Sequence, residues 1–301
     1  MAQNKNIAII DIGSNSCRLL ITSCKKLFPP ILEQVEVTRI SEGVYETGLL
    51  SEDAVSRTLS VIHKYIKTAF LYKSDIYIFS TSPLRLAKNP ELLRCELDKL
   101  NIPFEIVSGE KEAYLNYLAL KSYFKQFTIA IDLGGGSTEF IVNSSPIRLK
   151  SLDIGCVKYM ELHKENPNKL KTIINNSLDN EKFPYTDKII GIGGTATTLL
   201  SVHLGLSRFD SKKIQGSSIT ISELENIYEN ICSVNIEERK KILGMDPKRA
   251  DTLPTGCFII INIMKKLKAN TLIASHLDLM YGYAISFMES DRHQTVEKLP
   301  K

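Results

Sequence analysis

Two short stretches of this chain each place an aspartate just before a glycine-containing turn. Asp11 follows an apolar run and precedes Gly13, and Asp132 follows a second apolar run and leads into Gly134–Gly136. Both stretches then return to apolar residues, so each predicts a strand, a tight turn and a second strand. Glycine allows a turn with positive φ and lets backbone N–H groups approach a ligand closely. The sequence therefore predicts two hairpins whose tips bind an anion with many oxygens, such as a phosphate chain.

The two aspartates have a predicted role in metal binding. Each is expected to hold Mg²⁺, directly or through water, while the tips bind phosphate oxygens. The alternative is that each aspartate only caps its own turn, but the repetition of the whole pattern favours function. The phosphate ligands predicted from the tips are the main chain and side chains of Gly13, Ser14, Ser16, Gly134, Gly135, Gly136, Ser137 and Thr138.

Each aspartate is followed, seven positions later, by a charged residue of opposite type. Arg18 follows Asp11 at this spacing, and Glu139 follows Asp132. Arg18 would pair with phosphate bidentately, and Glu139 would complete the metal site or orient water. The alternative for both is an exposed position on a strand.

A third element begins at Ser108-Gly109, where a predicted strand ends and a helix begins. Glu112 is the candidate general base, which would orient a water molecule for in-line attack on a terminal phosphorus. The competing interpretation is ordinary stabilisation of a helix start by acidic residues. From chemistry alone the two interpretations remain open.

Two further segments are candidate phosphate contacts. Arg85 follows a predicted strand and would pair with phosphate, although such arginines often lie on the surface. Gly193 and Gly194 form a turn between a strand and a helix, whose N-terminus would bind an anion. Close packing of the strand on the helix is the alternative. Arg249 and Asp251 are interpreted as a salt-bridged helix start.

The length and composition indicate a globular protein long enough for two domains of ordinary size, each with its own hydrophobic core. The chain has 301 residues, 43% hydrophobic and 24% charged, with a formal net charge of +4. The longest apolar run, 257–261, is too short to span a bilayer and predicts a buried helix. No signal peptide is recognisable at the start, so a cytoplasmic protein is predicted. The six cysteines lack Cys-x-x-Cys spacing and are expected to be reduced, buried thiols rather than a zinc site.

The order of the predicted elements indicates two α/β domains of similar design. In each half, strand hairpins precede alternating strands and helices. The predicted domains are residues 1–124, which a C-terminal helix at 283–301 would complete, and residues 125–282. A cleft between them is the default ligand site. Local expectations include a strand at 31–40, a helix capped by Ser51, and a capping box formed by Ser222 and Glu225.

These residues and the segments around them resemble a known family over nearly the whole chain. The chain resembles the exopolyphosphatase/guanosine pentaphosphatase family of the actin-like ATPase superfamily. The matching stretches, in family order, are IAIIDIGSNSCRLLI, STSPLRLAKN, VSGEKEAYLNYLAL, AIDLGGGSTEF, SLDIGCVKYMELH, GIGGTATTLLSV and RADTLPTG. Other actin-like proteins share glycine hairpins but not the Ser-Gly-x-x-Glu-Ala segment.

The resemblance implies two ribonuclease-H-like domains around a cleft and Mg²⁺-dependent release of terminal phosphate. The family's catalytic glutamate corresponds to Glu112, and its acidic residues associated with metal and water correspond to Asp132 and Glu139. The family's phosphate-binding hairpin and arginines correspond to Asp11, Gly13, Ser14, Asn15, Arg18 and Arg85.

Two departures from the family pattern affect the substrate. Longer members carry a helical C-terminal domain, whereas the short two-domain form is expected here, and this form is not predicted to handle long polyphosphate processively. The family's Gly-Leu-Arg-Glu-Gly segment is replaced by Asp278-Leu279-Met280-Tyr281-Gly282. Met280 takes the place of an arginine associated with guanosine phosphate binding, and a thioether cannot replace a guanidinium fork.

The leading hypothesis is an exopolyphosphatase that acts on short inorganic polyphosphate. The close alternative is removal of the 5′ γ-phosphate from guanosine pentaphosphate to give the tetraphosphate. A phosphotransferase is disfavoured, because a base aimed at water would waste nucleotide. A non-catalytic sensor of these polyanions is the alternative from another class. No nucleic-acid or membrane partner is predicted, and a homodimer is an open option.

Overall fold

The computed structural model describes the backbone of residues 6–24, 26–162 and 167–297. These residues divide into two compact units. The first unit contains the described residues up to Ser122 together with those from Leu279 onward, and the second contains Tyr123–Asp278. Each unit has its own mixed β-sheet with flanking helices, which confirms the predicted α/β class.

The first unit is built on a five-stranded sheet. Its strands are β1 (Asn6–Ile12), β2 (Ser16–Ser23), β3 (Leu32–Val37), β4 (Ser74–Ser80) and β5 (Phe104–Ile106). They lie in the order β3-β2-β1-β4-β5, with β1, β2 and β3 antiparallel and β4 and β5 parallel to β1. β1 lies in the middle of the sheet and is buried on both faces, as its run of apolar residues predicts.

Helices cover the first sheet. They are α1 (Val44–Thr47), α2 (Glu52–Leu71), α3 (Ser82–Leu86), α4 (Glu91–Asp98) and α5 (Gly109–Tyr123). The predicted cap of α2 is confirmed, because the side chain of Ser51 accepts a hydrogen bond from the Ala54 amide. Residues at helical spacing, including Ile62 and Tyr65, bury one face of α2 in the core.

The second unit repeats this design on a six-stranded sheet. Its strands are β6 (Ile129–Leu133), β7 (Thr138–Val142), β8 (Arg148–Leu152), β9 (Lys188–Ile192), β10 (Ser218–Thr220) and β11 (Thr271–Ser275). They lie in the order β10-β11-β9-β6-β7-β8. As in the first sheet, an antiparallel meander of three strands is joined to parallel strands through its first strand.

The helices of the second unit are α6 (Cys156–Leu162), α7 (Pro167–Asp179), α8 (Gly193–His203), α9 (Ser211–Ile214), α10 (Ile221–Ser233), α11 (Ile236–Arg239) and α12 (Leu253–Leu267). α12 is the predicted buried helix, with Ile259, Ile260 and Ile263 fully enclosed. The predicted capping box is wrong by two positions, because Thr220 and Glu223 form it. Thr220 ends β10 with the extended backbone that a cap requires, whereas Ser222 is already inside the helix.

The last helix, α13 (Leu279–Glu297), belongs to the first unit. The Tyr281 hydroxyl donates to Glu33 Oε1 at 2.8 Å, and the Tyr283 hydroxyl donates to Glu105 Oε2 at 3.1 Å. The ring of Tyr283 also stacks on Phe79 with centroids 5.0 Å apart. Residues far apart in the sequence thus complete one core. The end of the predicted helix at 298–301 lies outside the described residues.

Gly282 fixes how closely α13 approaches α5. A Cβ at this position would lie 1.9 Å from the Leu115 carbonyl oxygen. We expect Gly282→Ala to lower the free energy of unfolding by about 3 kcal/mol or more, because main chain rather than a flexible side chain must move. Thermal unfolding measures the loss. Gly205→Ala is the control for backbone strain without a clash: Gly205 has a φ of +58° but open space around it, so this variant should lose only about 1 kcal/mol. Equal unfolding temperatures for Gly282→Ala and wild type would contradict this packing.

The cysteines only partly match the expectation of buried thiols. All six are free, and Cys17, Cys156 and Cys257 are buried, but Cys95 and Cys232 are exposed. The exposed pair lies on the outer faces of α4 and α10. Among the helices described, none combines the length and apolar character needed to cross a bilayer.

Candidate active site

The first predicted hairpin is formed by β1 and β2. The Gly13 amide donates to the Ser16 carbonyl at 3.0 Å and closes the tip, and Asp11 lies directly opposite Arg18 in the strand register. The expectation of positive φ is wrong for Gly13 and Gly134. A Cβ on Gly13 would instead lie 3.2 Å from the Ser16 carbonyl oxygen, so close approach of the backbone favours glycine here.

Asp11 and Arg18 form a close ion pair across this hairpin. Arg18 donates from Nε at 2.8 Å and from Nη2 at 2.5 Å to Asp11 Oδ2. The Asp11 side chain is only 4% exposed. Burial, together with the charge of Asp11, raises the pKa of the adjacent Cys17 thiol far above its ordinary value. The structure thus joins two residues that the sequence assigned separately to metal and to phosphate.

The segment after β3 covers the first tip. The amides of Thr38 and Arg39 donate to the Asn15 carbonyl at 3.2 and 3.0 Å, and the Ser41 amide donates to the Ser14 carbonyl at 3.3 Å. Arg39 adopts a φ of 49°, which is strained for a residue other than glycine. These bonds hold the carbonyl groups of the tip on its covered side.

Ser14 takes part in a row of hydroxyl groups. Its Oγ lies 3.0 Å from Ser82 Oγ and 3.3 Å from the Tyr45 hydroxyl. The sequence did not single out Ser82 or Tyr45. The position of Ser82 within the matching stretch around Arg85 was the available signal. Ser16 is also buried at this tip.

Glu112 is held by Arg85 within the first unit. Arg85 Nη1 donates to Glu112 Oε2 at 3.0 Å and to the Val107 carbonyl at 2.6 Å. The Glu112 side chain is 10% exposed and that of Arg85 22%. Two neighbouring acidic residues have different surroundings from Glu112, because Glu110 is exposed and Glu105 pairs with Lys111. Of the acidic residues around the start of α5, Glu112 is therefore the one that lies beside a predicted phosphate-binding arginine.

The second hairpin, formed by β6 and β7, closes in the same way. The Gly134 amide donates to the Ser137 carbonyl at 3.0 Å, and Asp132 lies directly opposite Glu139. Glu139 is fully buried, and Ser151 Oγ donates to its Oε1 at 2.7 Å. Ser151 was missed because nothing in the spacing of β8 relates it to Glu139.

Thr138 has a different role from the one predicted. Its hydroxyl donates to the Ile154 carbonyl at 2.5 Å, and the residue is fully buried. This bond joins β7 to the segment after β8. The Thr138 hydroxyl therefore stabilises the hairpin, whereas Ser137 lies at the tip itself.

The carboxylates of Asp132 and Glu139 fit a hard divalent cation. Residues directly opposite on antiparallel strands have Cβ atoms about 5 Å apart, and like charges in this arrangement repel. A bound Mg²⁺ would offset the repulsion, since it prefers carboxylate oxygens together with water and substrate phosphates. The neutral Ser151 hydroxyl orients Glu139 without neutralising it. At the first hairpin, by contrast, the opposite residue to the aspartate is a cation.

The second tip is covered by the segment after β8, in parallel with the first. The Cys156 amide donates to the Gly134 carbonyl at 3.0 Å, and the Val157 and Lys158 amides donate to the Gly135 carbonyl at 2.9 Å. A Cβ on Gly155 would lie 2.3 Å from the Gly135 oxygen and 2.4 Å from Gly136 main-chain atoms. In both hairpins, therefore, carbonyl groups of the tip accept hydrogen bonds from the segment that covers it.

Gly155 should be essential for the second tip. We expect Gly155→Ala to displace Gly135 and Gly136 and to lower kcat/KM for the phosphate release that the sequence predicts by about a hundredfold, since a displacement of about 1 Å can have that effect. Steady-state kinetics measures the loss, and Gly205→Ala, in the same unit, is the control. Full activity in Gly155→Ala would show that the tip does not contribute to turnover.

Gly193 and Gly194 lie next to the second hairpin. Gly193 has a φ of +82°, and a Cβ there would lie 2.7 Å from Asp132 Oδ1. A Cβ on Gly194 would lie 2.2 Å from the guanidinium of Arg249. The sequence interpreted Arg249 only as part of a helix start. Its place after α11, in a 3-10 turn at Pro247–Arg249, brings it to the glycine turn instead.

Comparison with known proteins identifies the family. Residues 20–290 match the model of the Ppx/GppA phosphatase family. The chain is 33% identical to the bifunctional 3-dehydroquinate synthase/phosphatase of Fusobacterium nucleatum, an alignment covering 94% of this chain and 46% of that protein. It is 25% identical to exopolyphosphatase 2 of Mycobacterium tuberculosis, covering 93% of this chain and 98% of that protein.

A solved structure supports the same family assignment. The crystal structure of the Aquifex aeolicus member of the Ppx/GppA family superposes with a TM-score of 0.80 at 29% identity, covering 96% of this chain and 99% of that one. A further relative in sequence is the guanosine-5′-triphosphate,3′-diphosphate pyrophosphatase of Pseudoalteromonas atlantica. The chain is 27% identical to that protein, and the alignment covers 61% of its length. The chain therefore belongs to the Ppx/GppA phosphatase family, with the actin-like fold that its two related units display.

Proposed function

We propose that this chain is an exopolyphosphatase, which releases terminal orthophosphate from short inorganic polyphosphate with the help of Mg²⁺. The observation that carries the proposal is the buried carboxylate of Glu112, held by Arg85, in a chain of the Ppx/GppA family. A general base must be held in a fixed orientation toward its water, and the Arg85 bond holds the Glu112 carboxylate in this way.

Each unit contributes a separate part of the chemistry. Glu112, in the first unit, orients the attacking water. Asp132 and Glu139, in the second, hold Mg²⁺, which when bound neutralises charge on the phosphate oxygens. Phosphoryl transfer has a loose transition state, so positioning and charge neutralisation supply most of the acceleration.

The tips bind phosphate through their outward-facing groups. The Gly13 and Gly134 amides close the turns, so the other amides of the two tips and the hydroxyls of Ser14 and Ser137 bind phosphate oxygens, since the carbonyls are bound on the covered side. We assign the metal to the second hairpin rather than to Asp11, because Asp11 Oδ2 accepts two hydrogen bonds from Arg18. Asp11 then holds Arg18 in place.

The relatives favour polyphosphate as the substrate. The relative named exopolyphosphatase 2 is spanned over 98% of its length, whereas the relative named for guanosine pentaphosphate is spanned over 61%. Removal of the 5′ γ-phosphate of guanosine pentaphosphate is the second candidate, and the latter relative supports it. Met280 argues against it, because its side chain is buried in the first unit, 4% exposed. A cytoplasmic location and a homodimer stay predictions.

A phosphate-release assay tests the proposed function. The purified chain is incubated with Mg²⁺ and either short polyphosphate or guanosine pentaphosphate, without an acceptor nucleotide. We expect faster release from polyphosphate, and none when the metal is chelated. Faster release from guanosine pentaphosphate would establish the second candidate. Binding of either polyanion without release would instead indicate a sensor.

A further inference from the structure

We propose that Arg249 is a positioning residue that holds the Gly193–Gly194 turn against Asp132 and thereby fixes the carboxylate that binds metal. The inference deepens the proposed function and rests on it for the metal site and for the kinetic test, whereas the unfolding cycle is independent of it. All the residues concerned lie in the second unit.

Two close contacts connect Arg249 to Asp132. A Cβ on Gly194 would lie 2.2 Å from both Arg249 Cζ and Nη2 and 2.5 Å from Nη1, so the guanidinium lies directly against the Gly194 main chain. A Cβ on Gly193 would lie 2.7 Å from Asp132 Oδ1. The turn therefore contacts the Arg249 guanidinium through Gly194 and the Asp132 carboxylate through Gly193.

The turn needs such support. Two consecutive glycines have the greatest conformational freedom in the unfolded chain and no side chains to restrict them when folded. The carbonyls of the turn accept hydrogen bonds from Thr197 at 2.9 Å and Thr198 at 2.6 Å, which hold them to α8. Contact with a flat, rigid guanidinium restricts the same turn from outside the helix.

The surrounding structure fixes the main chain that carries the Arg249 side chain. Its amide donates to the Asp246 carbonyl at 2.9 Å within the 3-10 turn. The next residue, Ala250, is fully buried, and its carbonyl accepts a hydrogen bond from Arg239 Nη1 at 2.8 Å. Arg239 also donates to the Ile231 carbonyl at 2.6 Å. A side chain that is 18% exposed and carried on this frame is suited to positioning rather than to following a moving ligand.

The ion pair with Asp246 is too long to account for this placement. Arg249 Nε lies 3.7 Å from Asp246 Oδ2, which is longer than a hydrogen bond, and Asp246 is 39% exposed. Partly exposed pairs at such distances contribute little to stability. The approach of the guanidinium to Gly194 is closer, and it is possible only because Gly194 has no side chain.

A double-mutant cycle tests the contact without any activity. Gly194→Ala, Arg249→Ala and the double variant are compared with wild type by thermal unfolding. We expect Gly194→Ala to lower the unfolding temperature of wild type but to leave that of Arg249→Ala unchanged or raise it. The reversal follows because alanine favours a helix start once the guanidinium is gone. An equal decrease in both backgrounds would overturn the contact.

Metal binding and kinetics test the positioning role. We expect Arg249→Ala to weaken Mn²⁺ binding, followed by electron paramagnetic resonance, by about 10- to 100-fold, as loss of groups that orient metal ligands does. In the phosphate-release assay kcat should fall by a similar factor, while KM changes less than about twofold. Arg249→Lys keeps the charge but not the planar fork, and should recover only part of the loss.

The neighbouring Lys248→Ala is the control and should match wild type in Mn²⁺ binding and kinetics, because Lys248 is exposed on the same 3-10 turn. Mn²⁺ binding unchanged by Arg249→Ala, or a loss expressed only in KM, would overturn the proposal. If wild type released no phosphate from either substrate, the proposed function would fail, but the unfolding cycle and Mn²⁺ binding would still decide the role of Arg249.

Discussion

Replacing Glu112 by glutamine is expected to reduce the rate of phosphate release by about 10²- to 10⁴-fold, the contribution typical of a positioned general base. Glutamine has the shape of glutamate and keeps an oxygen that can accept the Arg85 hydrogen bond, so the fold should persist. What is lost is the negative charge that would draw a proton from the attacking water. Single-turnover release of orthophosphate measures the loss.

The variant should still bind its substrate. Titration calorimetry with short polyphosphate is expected to give a dissociation constant for Glu112→Gln close to that of wild type in the absence of Mg²⁺, where turnover is blocked. Glu110→Gln is the matched control, since Glu110 lies in the same helical turn but is exposed. It should keep full activity. Wild-type turnover in Glu112→Gln would remove Glu112 from the role of base.

The second large effect is expected from Asp132→Asn. An amide cannot supply the charge that a hard divalent cation requires. Phosphate release should therefore fall at least about a hundredfold, because a metal acting as a Lewis acid contributes several kcal/mol to the transition state. Mn²⁺ binding measured by electron paramagnetic resonance should weaken in parallel, and raising the Mg²⁺ concentration should restore part of the activity.

Two comparisons sharpen this prediction. Asp187→Asn, just before β9, is the control, because its replacement keeps an oxygen to accept the bond from Asn270. Asp11→Asn should weaken Mn²⁺ binding much less than Asp132→Asn, because Asp11 pairs with Arg18. If the two variants had equal effects on Mn²⁺ binding, the assignment of the metal to the second hairpin would be wrong.

The two hairpins could be predicted from the sequence because each depends on a local pattern, whereas their register is a finding of the structure. Apolar runs on either side of a short polar turn admit few other structures. Asp11 and Arg18 are seven residues apart, as are Asp132 and Glu139, and the structure places each pair opposite in register. Because Asp11 and Arg18 have opposite charges, that pair attracts, whereas Asp132 and Glu139 have like charges and repel. This difference was not inferred from the sequence, although it follows from the residue types.

Contacts made between distant segments could not be predicted. The sequence predicts a strand at 31–40, but β3 ends at Val37, because the amides of Thr38 and Arg39 bond to the Asn15 carbonyl instead of continuing the sheet. The pairing of Glu112 with Arg85, 27 positions earlier, and the packing of Arg249 on Gly194 also depend on the fold. Such contacts are absent from any local period or spacing.

The most direct test of the account is ³¹P nuclear magnetic resonance of a short polyphosphate during its reaction with the chain and Mg²⁺, since this method separates terminal, internal and free phosphate. The account predicts that free orthophosphate rises as internal phosphorus falls, while the terminal signal stays constant until the chains become very short. A rising terminal signal without orthophosphate would show internal cleavage, and unchanged spectra would show no hydrolysis. Either result would contradict the proposed function.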